Sequence, residues 1–200
     1  MDVSQILEKM IVFSKGNLHD IDHFIRVWTY AKMIGELENL ESSTQYILEI
    51  AAITHDIACP FCREKYGNTN GKYQEIEGVA LVTDFLSETK ISNEQIERVA
   101  YLVGHHHTLD DVVGKDYMIL LEADFIVNAI ENGYEIRKFV ADWDKYGKAA
   151  GPIRNEQMAI EADYIICFWD YKSRGTKSMI ENAKKYSKPY KIKNISLIKK

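Results

Sequence analysis

Residues 51–60 read AAITHDIACP. The apolar run has the character of the end of a buried helix, yet it carries an imidazole and a carboxylate side by side, His55 and Asp56. Burying an unpaired charge is costly, so such a pair is hydrogen-bonded, ion-paired or bound to a metal. A helix that ends inside a core on two polar side chains points to a helical domain built around a polar centre.

Helical patterning extends outward from this stretch to about Asn132. In DHFIRVWTYAKMIGELENL, residues 22–40, Ile25, Trp28, Tyr30, Ala31, Ile34 and Leu37 fall on or near one face, which predicts an amphipathic helix. Further helices are expected near 2–14, 43–57, 74–88, 92–106 and 116–131, and Ser92 with Gln95 forms a capping-box signal. The longest irregular stretch expected is CPFCREKYGNTNGKY, residues 59–73, rich in Gly, Asn and Pro. Beyond ENGYE the pattern alternates: EIRKFV, the amphipathic IRNEQMAIEA, DYIICFW, TKSMIENAKKY and PYKIKNI. Strands separated by single helices predict a βαβαβ unit with three parallel strands. The fold class expected is therefore mainly α, with a helical bundle over 1–132 and a small α/β unit over 133–200.

Composition narrows the function classes. The chain has 200 residues, 46% of them apolar, and a net charge of −5 with acids and bases interspersed, so it lacks the footprint of a nucleic-acid binder. Only the C-terminal KYSKPYKIKNISLIKK is basic, and it reads as a solvated tail. No apolar stretch reaches the length of a membrane helix and the N-terminus lacks a signal-peptide layout, so a cytoplasmic protein is expected. Cys59, Cys62 and Cys167 are an odd set, which argues against disulfides. Cys59 and Cys62 form a C-x-x-C without a second pair at zinc spacing or a strand leading into it, so neither a redox nor a zinc role is read from it.

The polar residues set in apolar surroundings form a series. His23 opens a helix as HFIRV, His55 and Asp56 end another, GHHHT places His105, His106 and His107 at the end of a third, and Asp124 lies in ILLEADFIVNA. Converging helix ends can bring these nitrogens and oxygens to one point. The donor mix suits Mn²⁺, Fe²⁺, Ni²⁺ or Zn²⁺ or, with more oxygen, Mg²⁺.

The order H in HFIRV, HD in THDIA and D in LLEADFIVNA resembles the HD-domain superfamily of metal-dependent phosphohydrolases over residues 17 to about 131. The resemblance implies a divalent metal on His23, His55, Asp56 and Asp124. Some members add a second metal through a further His on the helix before an EGVA-like segment; here GKYQEIEGVAL offers Gln74 and Glu75, of which Glu75 could serve as an oxygen ligand. Asp56 is the expected water-orienting group, and His105 and His106 the expected catalytic partners. His107 is read as a bystander, and His19 as a packing or supporting residue. Arg26, Lys72 and Lys115 are candidate phosphate contacts. The implied activity is hydrolysis of a phosphomonoester or nucleotide phosphate through water activated by the metal. A nucleotide-sensing module with a non-catalytic metal site is the alternative; a diiron oxygenase would need a sixth ligand that Gln74 does not offer.

From about residue 139, GPIRNEQM and FWDYKSRGT resemble the second half of SLOG-type Rossmann-like nucleotide-sensing domains. That resemblance implies a phosphate at a helix N-terminus formed by Ser173, Arg174, Gly175 and Thr176, with Arg154 alongside. The first half of such a domain, with its glycine-rich loop, has no counterpart in residues 1–132. A structural role, or a homodimer formed through this unit, is expected ahead of ligand binding.

Overall fold

The computed structural model describes residues 2–108, 113–134, 137, 139–169 and 171–194, and only the backbone at Phe168, Lys193 and Asn194. The chain divides into two compact units, Met1–Thr108 with Gly114–Tyr134 and, separately, Glu135–Lys200 with Leu109–Val113.

The first unit is helical: α1 Val3–Phe13, α2 Leu18–Leu37, α3 Ser42–Thr54, α4 Cys59–Tyr66, α5 Gly71–Ser87, α6 Asn93–Val103 and α7 Lys115–Glu131. Helix α3 lies at its centre, packed against α1, α2, α6 and α7. From Leu48 to Thr54 every residue of α3 is buried, so this half of the helix is apolar on nearly every side, Glu49 and Thr54 excepted. Capping boxes start α1 (Asp2 with Gln5) and α6 (Ser92 with Gln95), each satisfying two N–H groups that the helix itself cannot.

Two expectations for this unit are corrected. The buried stripe of α2 is His23, Phe24, Val27, Ala31 and Gly35, whereas Leu37 is exposed. The helix is turned so that an imidazole faces the core, and Trp28 sits at the edge, its indole N–H donating to Glu49 Oε2 at 2.9 Å. Residues 59–73 are not one irregular stretch. Pro60 occupies the first turn of α4, where its fixed φ favours a helix start, and Gly67 ends the helix at φ 69°, a left-handed conformation suited to glycine. Only 67–70 separates α4 from α5.

The second unit comprises α8 Trp143–Tyr146, a 3-10 turn Gly147–Ala149, α9 Ala150–Glu161, β1 Ile165–Trp169, α10 Arg174–Lys185 and β2 Tyr190–Asn194. The strands are parallel, with Ile165 opposite Tyr190 and Cys167 opposite Ile192. Ala159, Ile165, Cys167, Ile180 and Ala183 form its core, flanked by Trp169, Met179 and Tyr186. The expected three-stranded sheet is thus two-stranded among the described residues. Of the strand expected over 135–140, Glu135, Ile136 and Lys138 lie outside the described residues. Arg137, Phe139 and Val140 belong to no strand: Arg137 pairs with Glu161 and Val140 is exposed. No helix among the described residues is long and apolar enough to cross a membrane.

Candidate metal centre

Helix α3 ends at Thr54, and the turn that follows delivers His55 and Asp56 to a point faced by His23 of α2 and Asp124 of α7. His23 Nε2 lies 3.2 Å from His55 Nε2, 3.2 Å from Asp124 Oδ1 and 3.5 Å from Asp56 Oδ2. His55 Nε2 lies 3.6 Å from Asp124 Oδ1 and 3.7 Å from Asp56 Oδ2. Donors placed about 2.1 Å from one cation are separated by roughly 3.0–3.4 Å, close to the edges seen here. His55 is fully buried and His23 nearly so.

The ring hydrogen bonds decide what these nitrogens present. His55 Nδ1 donates to the Ala52 carbonyl (2.9 Å), His106 Nδ1 to the Val103 carbonyl (2.7 Å) and His23 Nδ1 to Glu131 Oε2 (3.0 Å). With Nδ1 carrying the proton, each Nε2 offers a lone pair. With both rings neutral, two lone pairs face each other at the His23–His55 contact, alongside two carboxylate oxygens. His106 Nε2 is buried without a hydrogen bond, 3.3 Å from Asp56 Oδ1. A proton on one ring would relieve a single contact; a cation would satisfy every donor. The residues present fit a divalent metal.

Without a metal the charges respond as that reading requires. Burial lowers the His23 pKa, but the hydrogen bond to Asp124 and the charges of Asp56 and Glu131 outweigh it and raise the group to about 9. Burial opposes ionisation of Asp56 and Asp124, yet the surrounding imidazoles hold both well below the usual carboxylate range. His106 is raised: burial works against its charge and Asp56 more than compensates.

Asp56 joins two groups, one with His23 and His55, the other with His106 and His107. His107 lines the cleft beside the centre, and burial, then His106, pushes its pKa down to about 4, so the ring is neutral near pH 7. His105 is directed elsewhere: it stacks on Tyr101 at 4.3 Å between centroids, its Nδ1 donates to the Tyr101 carbonyl, and its own carbonyl accepts from Tyr117. Glu75 does not join the donor groups. Its Oε1 accepts from the His107 N–H (3.0 Å) and the Thr108 hydroxyl (2.9 Å), pinning the histidine turn to α5. Gln74 is held between the Cys59 thiol, which donates to its Oε1, and the Thr69 carbonyl, to which its amide donates. Burial and the charge of Asp56 push the Cys59 thiol far above its ordinary value, so in the metal-free protein it carries its proton and donates to Gln74.

The cleft is about 250 Å³ and is also lined by His19, Asp20, Arg63, Thr69, Asn128 and Glu131. His19 is exposed at its mouth and is not a packing residue. None of the expected phosphate contacts lines it: Arg26 pairs with Asp22, Lys115 with Glu38, and Lys72 is exposed at the start of α5. The supporting residues Glu131 and Asn128, whose amide donates to Asp124 Oδ1 at 2.7 Å, were missed from sequence. Their spacing from Asp124, four and seven residues along α7, was the available signal, since it places all three on one helix face.

In the second unit, Arg154 donates to Asn155 Oδ1, and Asn155 donates to the Gly175 carbonyl. Ser173 caps α10, accepting from the Thr176 N–H and hydroxyl. Of the five residues expected to bind a nucleotide, Arg154, Ser173, Gly175 and Thr176 are each hydrogen-bonded within the unit.

A family model described as HD domain matches residues 20–171. No curated protein and no solved structure matches the chain.

Proposed function

Because the chain belongs to the HD-domain family, whose members are generally metal-dependent hydrolases, we propose that it hydrolyses a phosphomonoester or nucleotide phosphate at the centre formed by His23, His55, Asp56 and Asp124. The observation that carries this reading is the convergence of two imidazole lone pairs and two carboxylate oxygens with edges of 3.2–3.7 Å. A divalent cation held there supplies Lewis acidity, acidifying water and polarising a phosphoryl oxygen.

The chain's own groups do the rest. Asp56 turns Oδ2 toward His23 and His55 and Oδ1 toward His106, so it can orient a water between the two groups. His106 Nε2 lies 3.3 Å from Asp56 Oδ1, and in this reading it holds a proton against that carboxylate. The neutral His107 ring can give or take one hydrogen bond at the cleft wall. Glu131 and Asn128 fix His23 and Asp124, a supporting layer of the kind that orients metal-binding side chains.

Assay of the protein, loaded in turn with Mn²⁺, Fe²⁺, Ni²⁺, Zn²⁺ and Mg²⁺, against nucleotides and sugar phosphates tests the reading. Turnover that disappears in Asp56→Ala is expected; turnover indifferent to that substitution contradicts it. A second reading, a regulatory module with a non-catalytic centre, is favoured by one observation: Gln74 stands where a second metal would need a histidine, and both ends of its amide are already bonded. That reading predicts metal binding without hydrolysis of any panel member. For the second unit we propose a structural role that could include pairing with a second copy, since Asn155 and Ser173 are spent on internal bonds.

A further inference from the structure

The cleft beside the metal centre carries an imbalance of charge. Asp20, Asp56, Asp124 and Glu131 line it, and Arg63 is the one cation lining it, among the described residues, whose charge does not depend on pH. Even with a divalent cation offsetting Asp56 and Asp124, a phosphate would face an acidic wall at the mouth, so the placement of Arg63 matters.

Arg63 and Cys59 are four residues apart on α4, and Asp20 and His23 three apart on α2, so each pair shares a helix face toward the cleft. The guanidinium bridges the two helices: NH1 donates to Asp20 Oδ1 at 3.2 Å and NH2 to Asp20 Oδ2. Asp20 is mostly covered, with 12% of its side chain exposed, whereas Arg63 is 40% exposed. The carboxylate takes one edge of the guanidinium, which lines the cleft and keeps further N–H donors of the kind that suit a phosphate. The charge of Arg63 is also felt by the Cys59 thiol and by Asp56, which places it within electrostatic reach of the centre.

We propose that Arg63, whose charge Asp20 partly offsets at the cleft mouth, receives the substrate's phosphate, and that the site takes a single phosphate group in preference to a polyphosphate. The proposal rests on the hydrolytic reading above. A triphosphate carries about twice the charge of a monophosphate, and the four lining carboxylates, Arg63 and one divalent metal offer nothing to neutralise the excess. A cleft of about 250 Å³ likewise encloses one phosphate and its immediate substituent, not an extended chain.

Calorimetric titration of the full-length, Mn²⁺-loaded protein with inorganic phosphate tests the assignment independently of turnover. Arg63→Met weakens phosphate binding about tenfold or more, Arg63→Lys restores part of it, and Asp20→Asn, which releases the guanidinium, strengthens it. A structural ion pair would instead make Asp20→Asn and Arg63→Met shift binding in the same direction or not at all, and either result overturns the proposal. So does a wild-type protein that binds no phosphate. If Arg63→Met fails to fold by circular dichroism, Asp20→Asn and Arg63→Lys decide between the two: stronger binding in the first and weaker binding in the second support the proposal, and any other pattern overturns it. A nucleoside triphosphate that binds more tightly than its monophosphate at equal free Mn²⁺ overturns the single-phosphate assignment. Absence of hydrolysis by the wild type, with phosphate binding intact and dependent on Arg63, rejects the hydrolase reading and leaves the phosphate site standing.

Discussion

His23 has two competing occupants at Nε2, a proton and a metal, and its titration makes that competition measurable. In the metal-free protein burial lowers its pKa, while Asp124, Asp56 and Glu131 together raise it from 6.5 to about 9. A group raised on folding contributes stability below 6.5 that is lost as the pH climbs through about 9. Asp56 and Asp124, both lowered from 3.8, contribute above that value and lose their contribution in acid. In chelator the melting temperature therefore falls from pH 6.5 to 9, and affinity for a divalent cation rises over the same window as the proton leaves. Scanning calorimetry with and without chelator checks this; a melting temperature that rises across that window would be inconsistent with a protonated His23. Glu131 acts one bond further out. Replacing it by Gln removes the carboxylate behind His23 and is expected to weaken metal binding about 10- to 100-fold with the fold intact, as followed by competition with a chelating dye.

At the scale of elements, the α4–α5 connection and the histidine turn are fitted to one another. A Cβ on Gly71 would come within 2.6 Å of the His107 ring, and Glu75 holds the same turn by its Oε1. Alanine is the better helix former, so Gly71→Ala is not expected to weaken α5 itself. It displaces His107, and kcat is expected to fall about 100-fold with the melting temperature little changed; unaltered kcat would show that the ring position is immaterial. This packing also shows where reading from sequence stops. His23, His55, Asp56 and Asp124 stand out because each interrupts an apolar helix, a purely local contrast. Arg63 does not stand out, since a cation in a polar segment gains meaning only from the distant Asp20 it meets. In the GHHHT turn His105 stacks on Tyr101 while His107 lines the cleft, a divergence of nearby side chains on a tight turn that composition cannot register. CPFC reads as loop on its residue types, yet Pro60 and Gly67 are the start and stop of a short helix. EIRKFV has strand-like residue types, yet its described members Arg137, Phe139 and Val140 belong to no strand, and Arg137 and Val140 are exposed.

Across the whole molecule, the two compact units have separate cores, and the candidate donors all belong to the first. Chelation should accordingly raise amide hydrogen exchange in α2, α3 and α7 and leave α9 and α10 unchanged, as read by mass spectrometry. Equal change in both sets would mean that the metal acts elsewhere. Everything proposed for the cleft depends on whether His23, His55, Asp56 and Asp124 hold a cation. Elemental analysis of the purified protein after metal loading and removal of excess, beside a His55→Ala variant whose helicity matches the wild type, asks this without reference to any substrate. About one tightly held divalent cation per chain is expected in the wild type, and its loss in the variant. A wild-type protein that retains no cation, or a variant that retains it undiminished, would refute the metal centre.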